Sequence, residues 1–568
     1  MSALLTTLGL RAAPGQVPAN HASGFLVANW VFAFCLMSTR GTKMRLGLDH
    51  NVNPREDLNN YGEAAVRSGK ISRRALDKLK RQESAHANAQ EGYSLFVAAI
   101  LVSLYAGLPN ETINTTKKYQ KVSVELIDLV IMKFLAIGTL LLSTVSALAT
   151  EHIIKGAQII PASDKSALKK IGAHGHHKHH DRRTVTIRSS RSDTDDVSED
   201  FLWGIKAANH GGRLLLKKGK KYVIGKKLDL SFLDDIEVQL EGEIKFTDDI
   251  DYWQANHFYY SFQKSITFWV WGGQDIKIFG KGTLNGNGQE WYNAFAGREV
   301  LDPSNTFYRP ILFVTDNATR VSVEGITQLN SPCWTNFFVR TKDVSFDDVF
   351  INAYSTNISA LPKNTDGFDS YNVDGLSVTN TRVDIGDDCF SPKPNTTNIF
   401  VQNLWCNNTH GVSMGSIGQY SGVEDIIENV WIENVTLLNG ENGVRLKAWA
   451  GENIGFGRIN NVTYKDVHIE NTDAPIVLDQ CYFNVDADTC AKYPSSVNFT
   501  NINFENIHGT SSGKNGKVIG DLTCSPNAVC SGIQLSEIDV TSPAGGPPVV
   551  ICDGISGDIG VECQSSSA

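Results

Sequence analysis

The chain has 568 residues, more than one hydrophobic core usually organises, so more than one folded unit is expected. Its 41% apolar and 20% charged residues are those of a globular protein. A formal net charge of −9 argues against nucleic acid as a partner, but not against a polyanionic substrate, because local sign matters more than the total.

The first 131 residues read as a small α-helical, membrane-like segment. Apolar runs at 22–38 and 93–108 flank a polar helical stretch, Lys78-Leu-Lys-Arg-Gln-Glu-Ser-Ala-His-Ala-Asn-Ala-Gln-Glu91. Asn53-Pro-Arg-Glu56 together with Arg81-Gln-Glu-Ser-Ala-His-Ala-Asn-Ala-Gln-Glu91 resembles the MAPEG family of membrane glutathione-linked proteins, without the later helices of that fold. Two neighbouring genes joined in one gene model would give this arrangement. Any membrane contact is expected through this segment alone.

Residues 132–149 read Met-Lys-Phe-Leu-Ala-Ile-Gly-Thr-Leu-Leu-Leu-Ser-Thr-Val-Ser-Ala-Leu-Ala. A basic start, a short apolar core and an Ala-x-Ala end are the anatomy of a secretory leader. A buried or membrane helix is the competing reading, but the run is short for a bilayer. Residues 150–200 are biased and polar. They hold His174-Gly-His-His-Lys-His-His180, the pair Arg182-Arg183 and a Ser/Arg/Asp run. A solvated linker is favoured over a metal site, since a histidine tract implies no fixed geometry.

From residue 201 to 568 the pattern changes to short alternating strands closed by Asn, Asp or Gly. They include Val321-Ser-Val, Val344-Ser-Phe, Leu376-Ser-Val, Ile399-Phe-Val, Val430-Trp-Ile, Val462-Thr-Tyr, Val497-Asn-Phe and Ile533-Gln-Leu. Alternation buries one face of each strand. The tightest interval is 23 residues, from Val321 to Val344 and from Leu376 to Ile399, with no helical pattern between. This predicts an all-β solenoid, a right-handed single-stranded parallel β-helix, with Asn and Gly at left-handed bends. An antiparallel sandwich would show hairpin signals every 8–12 residues or so. The helical-looking Glu199-Asp-Phe-Leu-Trp-Gly-Ile-Lys-Ala-Ala208 is expected to cap the open end.

Nine of the ten cysteines lie between Cys333 and Cys563. In a secreted protein the close pairs Cys389/Cys406, Cys481/Cys490, Cys524/Cys530 and Cys552/Cys563 read as local disulfides, with Cys333 left over; buried free thiols are the alternative. Asn317, Asn357, Asn395, Asn407, Asn434, Asn461 and Asn498 each begin Asn-x-Ser/Thr and are candidate glycosylation sites.

The chemistry-bearing residues fall at coil spacing. Asp366 lies 21 residues before Asp387, and His410 lies 23 after it, with Asp388 adjacent. Stacked one coil apart, they form a ladder on one sheet. Clustered carboxyls push their pKa values apart, so one can hold a proton for a leaving oxygen while another activates water or attacks the sugar. Asp387 and Asp388 need a local bend to face the same way, and a solvated turn is the alternative. Arg445 and Lys447, two apart on a strand, share a face and suit a carboxylate-bearing sugar; pairing with the aspartates is the alternative.

Asn-Thr-Asp (364–366), Gly-Asp-Asp (386–388), His-Gly (410–411) and Arg-Leu-Lys (445–447) resemble the four signatures of glycoside hydrolase family 28, the polygalacturonases. Thr409 stands where Gly or Ser is usual, and Leu446 replaces Ile; neither removes a functional group. The resemblance implies a parallel β-helix, an inverting mechanism and neither metal nor cofactor. It implies Asp387 as general acid, Asp366 and Asp388 as water activators, and His410 beside the acid. Arg445, Lys447 and Tyr482 would contact galacturonate. Phe246-Thr-Asp-Asp-Ile-Asp-Tyr-Trp-Gln-Ala-Asn256, Leu284-Asn-Gly-Asn-Gly-Gln289, Lys393-Pro-Asn-Thr-Thr397 and Gly415-Ser-Ile-Gly-Gln-Tyr420 look like fungal exo-polygalacturonases in particular. The expected protein is a secreted, monomeric hydrolase of polygalacturonate (pectin). Endo or rhamnogalacturonan-directed action stays open. A non-catalytic binder would have no need of paired carboxylates beside a polyanion, and a calcium-dependent lyase would give unsaturated products. If residues 1–131 are a joined neighbour, mature protein yields no peptide spanning residues 120–150; mass spectrometry that recovers one contradicts the joining.

Overall fold

The computed structural model describes residues 182–300, 305–482 and 486–565, with scattered positions between 43 and 80. The chain divides into two compact units, Met1–Ala157 and Gln158–Ala568. In the first, Leu48, Ala65, Ile71, Leu76 and Leu79 form a small buried apolar cluster. No helix among the described residues is long and apolar enough to cross a membrane, so the transmembrane expectation finds no support there. The apolar runs, the MAPEG-like motif, the leader-like segment and the histidine tract lie outside the described residues.

The second unit is a parallel β-helix. Strand after strand returns beside its predecessor one coil later, and every pairing is parallel except Phe258–Tyr260 with Ser265–Thr267. Strand connections of this kind take the right-handed sense. Alternation in the sequence sets the register. Val321, Val344, Leu376, Ile399, Val430, Val462, Ile502 and Ile533 stand directly beside one another in one continuous row inside the solenoid. All eight are buried. One expected anchor was misplaced: Val497 sits beside Gly457, and Ile502 takes the rung next to Val462. The strand Ser496–Ser511 bends at Asn501 (φ 56°), so it carries two alternating stretches, and Val497-Asn-Phe belongs to the first.

The left-handed bends are made by asparagine, whose side chains stack as the coils do. Asn461 donates to Asn429 (2.8 Å), Asn429 to Asn398 (3.2 Å) and Asn398 to Asp374 (2.7 Å). A second row runs Asn434, Asn403, Asn380, and a third Asn471, Asn439, Asn407, Asp384. Most of these residues have positive φ, which Asn tolerates at low cost because its short amide bonds locally. Four sequon asparagines, Asn395, Asn407, Asn434 and Asn461, therefore have a structural use already: each donates its amide N–H to the preceding coil.

The expected disulfides are formed, and among the described residues the free-thiol alternative holds for Cys333 alone. Cys389 is bonded to Cys406, Cys481 to Cys490, Cys524 to Cys530 and Cys552 to Cys563. Each pair spans 5.5–6.0 Å between Cα atoms, the ordinary reach of a disulfide. Two of the bridges meet at Gln480. The Cys490 sulfur lies 3.9 Å from its backbone oxygen, and the Cys530 sulfur lies 3.9 Å from its Oε1.

The solenoid starts earlier than residue 201. The strand Thr184–Thr186 pairs with Arg213, Leu214 and Leu215, and Asp196 bridges to Val223. This stretch looked like a solvated linker because its charges are numerous. They are paired, Arg182 with Asp235 and Glu237, and Arg188 with Asp195 and Asp200. The helix Ser198–Ala208 follows and buries Phe201, Ile205 and Ala208 against the core, covering strand ends that would otherwise be open.

Candidate active site

Three parallel rows converge on one face. The strand Phe368–Tyr371 stacks on Ser391–Pro392, and a separate five-stranded sheet begins with Val412–Ile417, Asn442–Trp449 and Ala474–Tyr482. Asp366, Asp387-Asp388 and His410 each sit just ahead of one of these strands. Continuing the pairing of Asp369 with Ser391 back by three residues brings Asp366 level with Asp388. Gly367 N–H donating to Asp388 O (2.9 Å) and His410 N–H donating to Asp387 O (2.9 Å) carry the ladder through. Asp387 lies at a bend over 385–387, which turns its side chain to the same side as Asp388. Carboxylate oxygens of Asp366, Asp387 and Asp388 lie within 4.8 Å of one another.

The acids have different environments. Asp388 is buried and accepts from Ser413 Oγ (2.8 Å) and Arg445 (3.2 Å), and it is in contact with the Lys447 ammonium. Burial penalises its charge, but Lys447 and Arg445 outweigh that and hold it well below the usual carboxylate range. Burial pulls Lys447 itself down to about 8, against the pull of Asp388. Asp387 is also penalised by burial, yet His410 Nδ1 at 3.3 Å keeps it on the low side. For His410, burial opposes the cation, but Asp387, with Asp388 and Glu441 behind it, raises it to about 9. Asp366 goes the other way: burial, then Asp369 and Asp387, push it well above the ordinary value, with Lys393 resisting.

These seven residues are brought together, with two refinements. Lys447 has no solvent-exposed side-chain surface and lies under Asp388, so the pairing with aspartate is what this geometry contains, and of these two cations it is Arg445 that lines the cleft. Tyr482 packs edge-on to Trp449 with ring centroids 5.6 Å apart, and Lys447 and Arg445 lie 4.9 and 5.8 Å from its ring. The neighbouring Cys481, tied to Cys490, lines the same cleft, so that bridge anchors the strand end carrying Tyr482. The bridge from Cys524 to Cys530 has no place among the cleft residues and serves the coils beyond.

Several residues at the site were given no role from the sequence, although Asn364 and Lys393 stand in the motifs quoted above. Asn364 donates to Asp387 Oδ2 (3.4 Å) while its own Oδ1 accepts from buried Arg309 (2.6 Å), which also donates to Lys363 O (2.6 Å). Arg309 can only donate, so the Asn364 amide is fixed with its N–H toward Asp387. Asp369 and Lys393 lie below Asp366. Coil spacing would have found them, since Asp369 and Lys393 are 24 residues apart, as the other rungs nearly are. All of this surrounds a cleft of about 990 Å³, lined by Asp366, Asp387, Asp388, His410, Arg445 and Tyr482 among others. The three carboxylates could gather around a cation, but Lys447, Arg445 and Lys393 already supply the positive charge there.

Comparison with known proteins agrees with this geometry. The model of "Glycosyl hydrolases family 28" matches residues 214–564. A relative from Aspergillus terreus named "Probable exopolygalacturonase B" is 78% identical over 437 residues, 77% of this chain and 100% of the relative. Among solved structures, endo-xylogalacturonan hydrolase from Aspergillus tubingensis superposes with a TM-score of 0.61 at 27% identity, covering 67% of this chain and 99% of that one. A hyperthermoactive exopolygalacturonase from Thermotoga maritima shares the fold, with a TM-score of 0.52 at 19% identity over 69% of this chain and 94% of its own.

The charge arrangement makes Lys447 a structural partner of Asp388. Lys447→Met leaves Asp388 buried with Arg445 and Ser413 alone, and is expected to cost about 3–5 kcal/mol of stability. Denaturant unfolding measures it; an unchanged midpoint would move the role of Lys447 from support to substrate contact.

Proposed function

The chain belongs to glycosyl hydrolases family 28, and from that premise we propose that it is a secreted exopolygalacturonase, hydrolysing α-1,4-galacturonosyl bonds of polygalacturonate from the chain end and releasing galacturonate. The observation that carries the reading is the acid triad, with Asp366 and Asp388 buried and Asp387 half-buried, beside Arg445 in an open cleft. Asp387 protonates the glycosidic oxygen as the bond to C1 breaks. Asp366 and Asp388, level on adjacent coils, hold the water that attacks C1, and Asp366 takes up its proton. Arg445 meets the galacturonate carboxylate with a planar, two-pronged donor set.

Asp387 prefers to be ionised when the cleft is empty, so its proton needs a source. The His410 imidazolium, Nδ1 at 3.3 Å from Asp387 Oδ1, is that source. An incoming polyanion adds negative charge and displaces water, and both effects favour moving the proton from imidazole to carboxylate. The spacing of the acids bears on stereochemistry. It is nearer the roughly 5–5.5 Å of retaining enzymes than the 6.5–9.5 Å of inverting ones. Inversion is nevertheless the reading supported by the charge network: Asp388, the candidate nucleophile, is pinned by Lys447, Arg445 and Ser413.

Exo action is supported by the relatives' name and by the cleft walls. Gln263 reaches residues far along the chain, its backbone N–H donating to Tyr420 OH (3.0 Å) and its side chain to Gln419 (3.2 Å), while Phe262 stacks on Tyr371 at 4.4 Å. Gln263 and Lys264 line one part of the cleft, and residues of 299–309 and 353–363 line another. Secretion is supported by the leader-like segment, the bonded cysteines and the sequons. A joined neighbour at the front is supported by length: the Aspergillus terreus relative is matched in full by 437 residues, and 568 less 437 leaves 131, the number preceding Met132.

Residues 150–568 digesting polygalacturonate should release monomer before any ladder of oligomers forms. Asp387→Asn should lower kcat by about 10³-fold or more, with far-ultraviolet circular dichroism unchanged. An early spread of oligomers would contradict chain-end action, and substantial residual turnover would overturn Asp387 as the acid.

A further inference from the structure

Beneath the acid triad lies a second charge pair that the mechanism above does not use. Asp369, on the strand Phe368–Tyr371, is fully buried, and neither of its oxygens accepts a well-formed hydrogen bond. Lys393 Nζ lies 3.1 Å from Asp369 Oδ1 and 3.7 Å from Asp366 Oδ2, and donates to Ser391 Oγ at 2.7 Å. A buried ion pair contributes little net stability, because desolvation offsets the attraction, so packing alone is a weak reason for it. Its placement is specific: one ammonium bridges a reacting carboxylate and a non-reacting one.

The charged and titratable groups around Asp366 are Asp369, Asp387, Asp388 and Lys393, together with Arg309 and Cys333. The hydrogen bonds of Arg309 go to Asn364, Lys363 and Pro332 and none to Asp366, and Lys447 and Arg445 are paired with Asp388. Lys393 is thus the cation left to Asp366. A base that activates water must be ionised, and the charges of Asp369, Asp387 and Asp388 oppose its ionisation. Burial likewise raises Asp369, to about 7, although Lys393 opposes this.

We propose that Lys393 and Asp369 are a positioning pair for hydrolysis, in which Lys393 holds Asp366 ionised as a base and Asp369 opposes it by competing for the same ammonium. The proposal rests on Asp366 being a water activator in the reading above. Lys393 borders the cleft, but its side chain is only 5% exposed and its ammonium is engaged by Ser391, Asp369 and Asp366, with Gly415 O at 3.5 Å, which favours this role over substrate contact.

The sign follows directly. Removing the cation makes Asp366 harder to ionise, so Lys393→Met should move the acidic limb of the kcat profile to higher pH. Removing the competing anion makes it easier, so Asp369→Asn should move that limb to lower pH. Each shift is expected at about 1 pH unit, with at least tenfold lower kcat for Lys393→Met on the acid side and little change in KM; Lys393→Arg should restore the wild-type limb. Infrared difference titration of the buried carboxyl band, assigned by its loss in Asp366→Asn, reads the same shifts without substrate. Opposite shifts support the pair, whereas shifts in one direction, or none, in folded protein overturn it. If Lys393→Met does not fold, the downward shift of Asp369→Asn and the rescue by Lys393→Arg decide alone. If the wild type fails to cleave polygalacturonate, the assigned function fails while the infrared titration still tests the pair.

Discussion

Everything at the site follows from holding three carboxyl groups within 4.8 Å of one another, two of them buried and the third half-buried. Like charges so close cannot all ionise unless positive charge is buried with them. The protein meets this by giving each acid its own cation: Lys447 and Arg445 to Asp388, His410 to Asp387, Lys393 to Asp366. The distribution is what makes the acids unequal. Asp388 is held on the ionised side by two cations, Asp387 lies beside an imidazole, and Asp366 is balanced between burial and one shared ammonium.

The β-helix is suited to impose this crowding. Backbone hydrogen bonds fix adjacent coils at strand spacing, so residues at equal register must stand side by side whatever their charge. Rows of stacked asparagines at the bends and a continuous apolar row inside keep the register fixed along the coils. The disulfide between Cys389 and Cys406 ties down the coil immediately after Asp388, and that between Cys481 and Cys490 does the same beside Tyr482. Main-chain bonding elsewhere thus sustains a local repulsion that a looser scaffold would relax.

The sequence disclosed the coil period because apolar alternation and bend residues repeat with it, and the period in turn aligned Asp366, Asp387 and His410. Short spacing likewise disclosed the bridges, because Cys524 and Cys530, or Cys481 and Cys490, have few other partners within reach. It misplaced Val497, because one strand carries two alternating stretches across a bend at Asn501. It missed the start of the solenoid at 184–196, because paired and solvated charges look alike in a string of letters. It left Asp369 and Lys393 without a role, although their 24-residue separation matches the ladder, because a buried acid and its supporting lysine look like any other charged residues until their contacts are known. Which acid holds a proton depends on burial and on which cation touches which oxygen. Those are properties of the folded cleft: Lys447 and Lys393 are both lysines in the sequence, and only contacts assign one to Asp388 and the other to Asp366.

The central claim is that Asp366 and Asp388 direct water onto the sugar and that neither attacks it, despite their short separation from Asp387. Time-resolved proton NMR of galacturonate freshly released from α-linked polygalacturonate tests this directly. Single displacement by water predicts that the β anomer appears first and then mutarotates. The α anomer appearing first would mean a covalent intermediate, and would contradict the account.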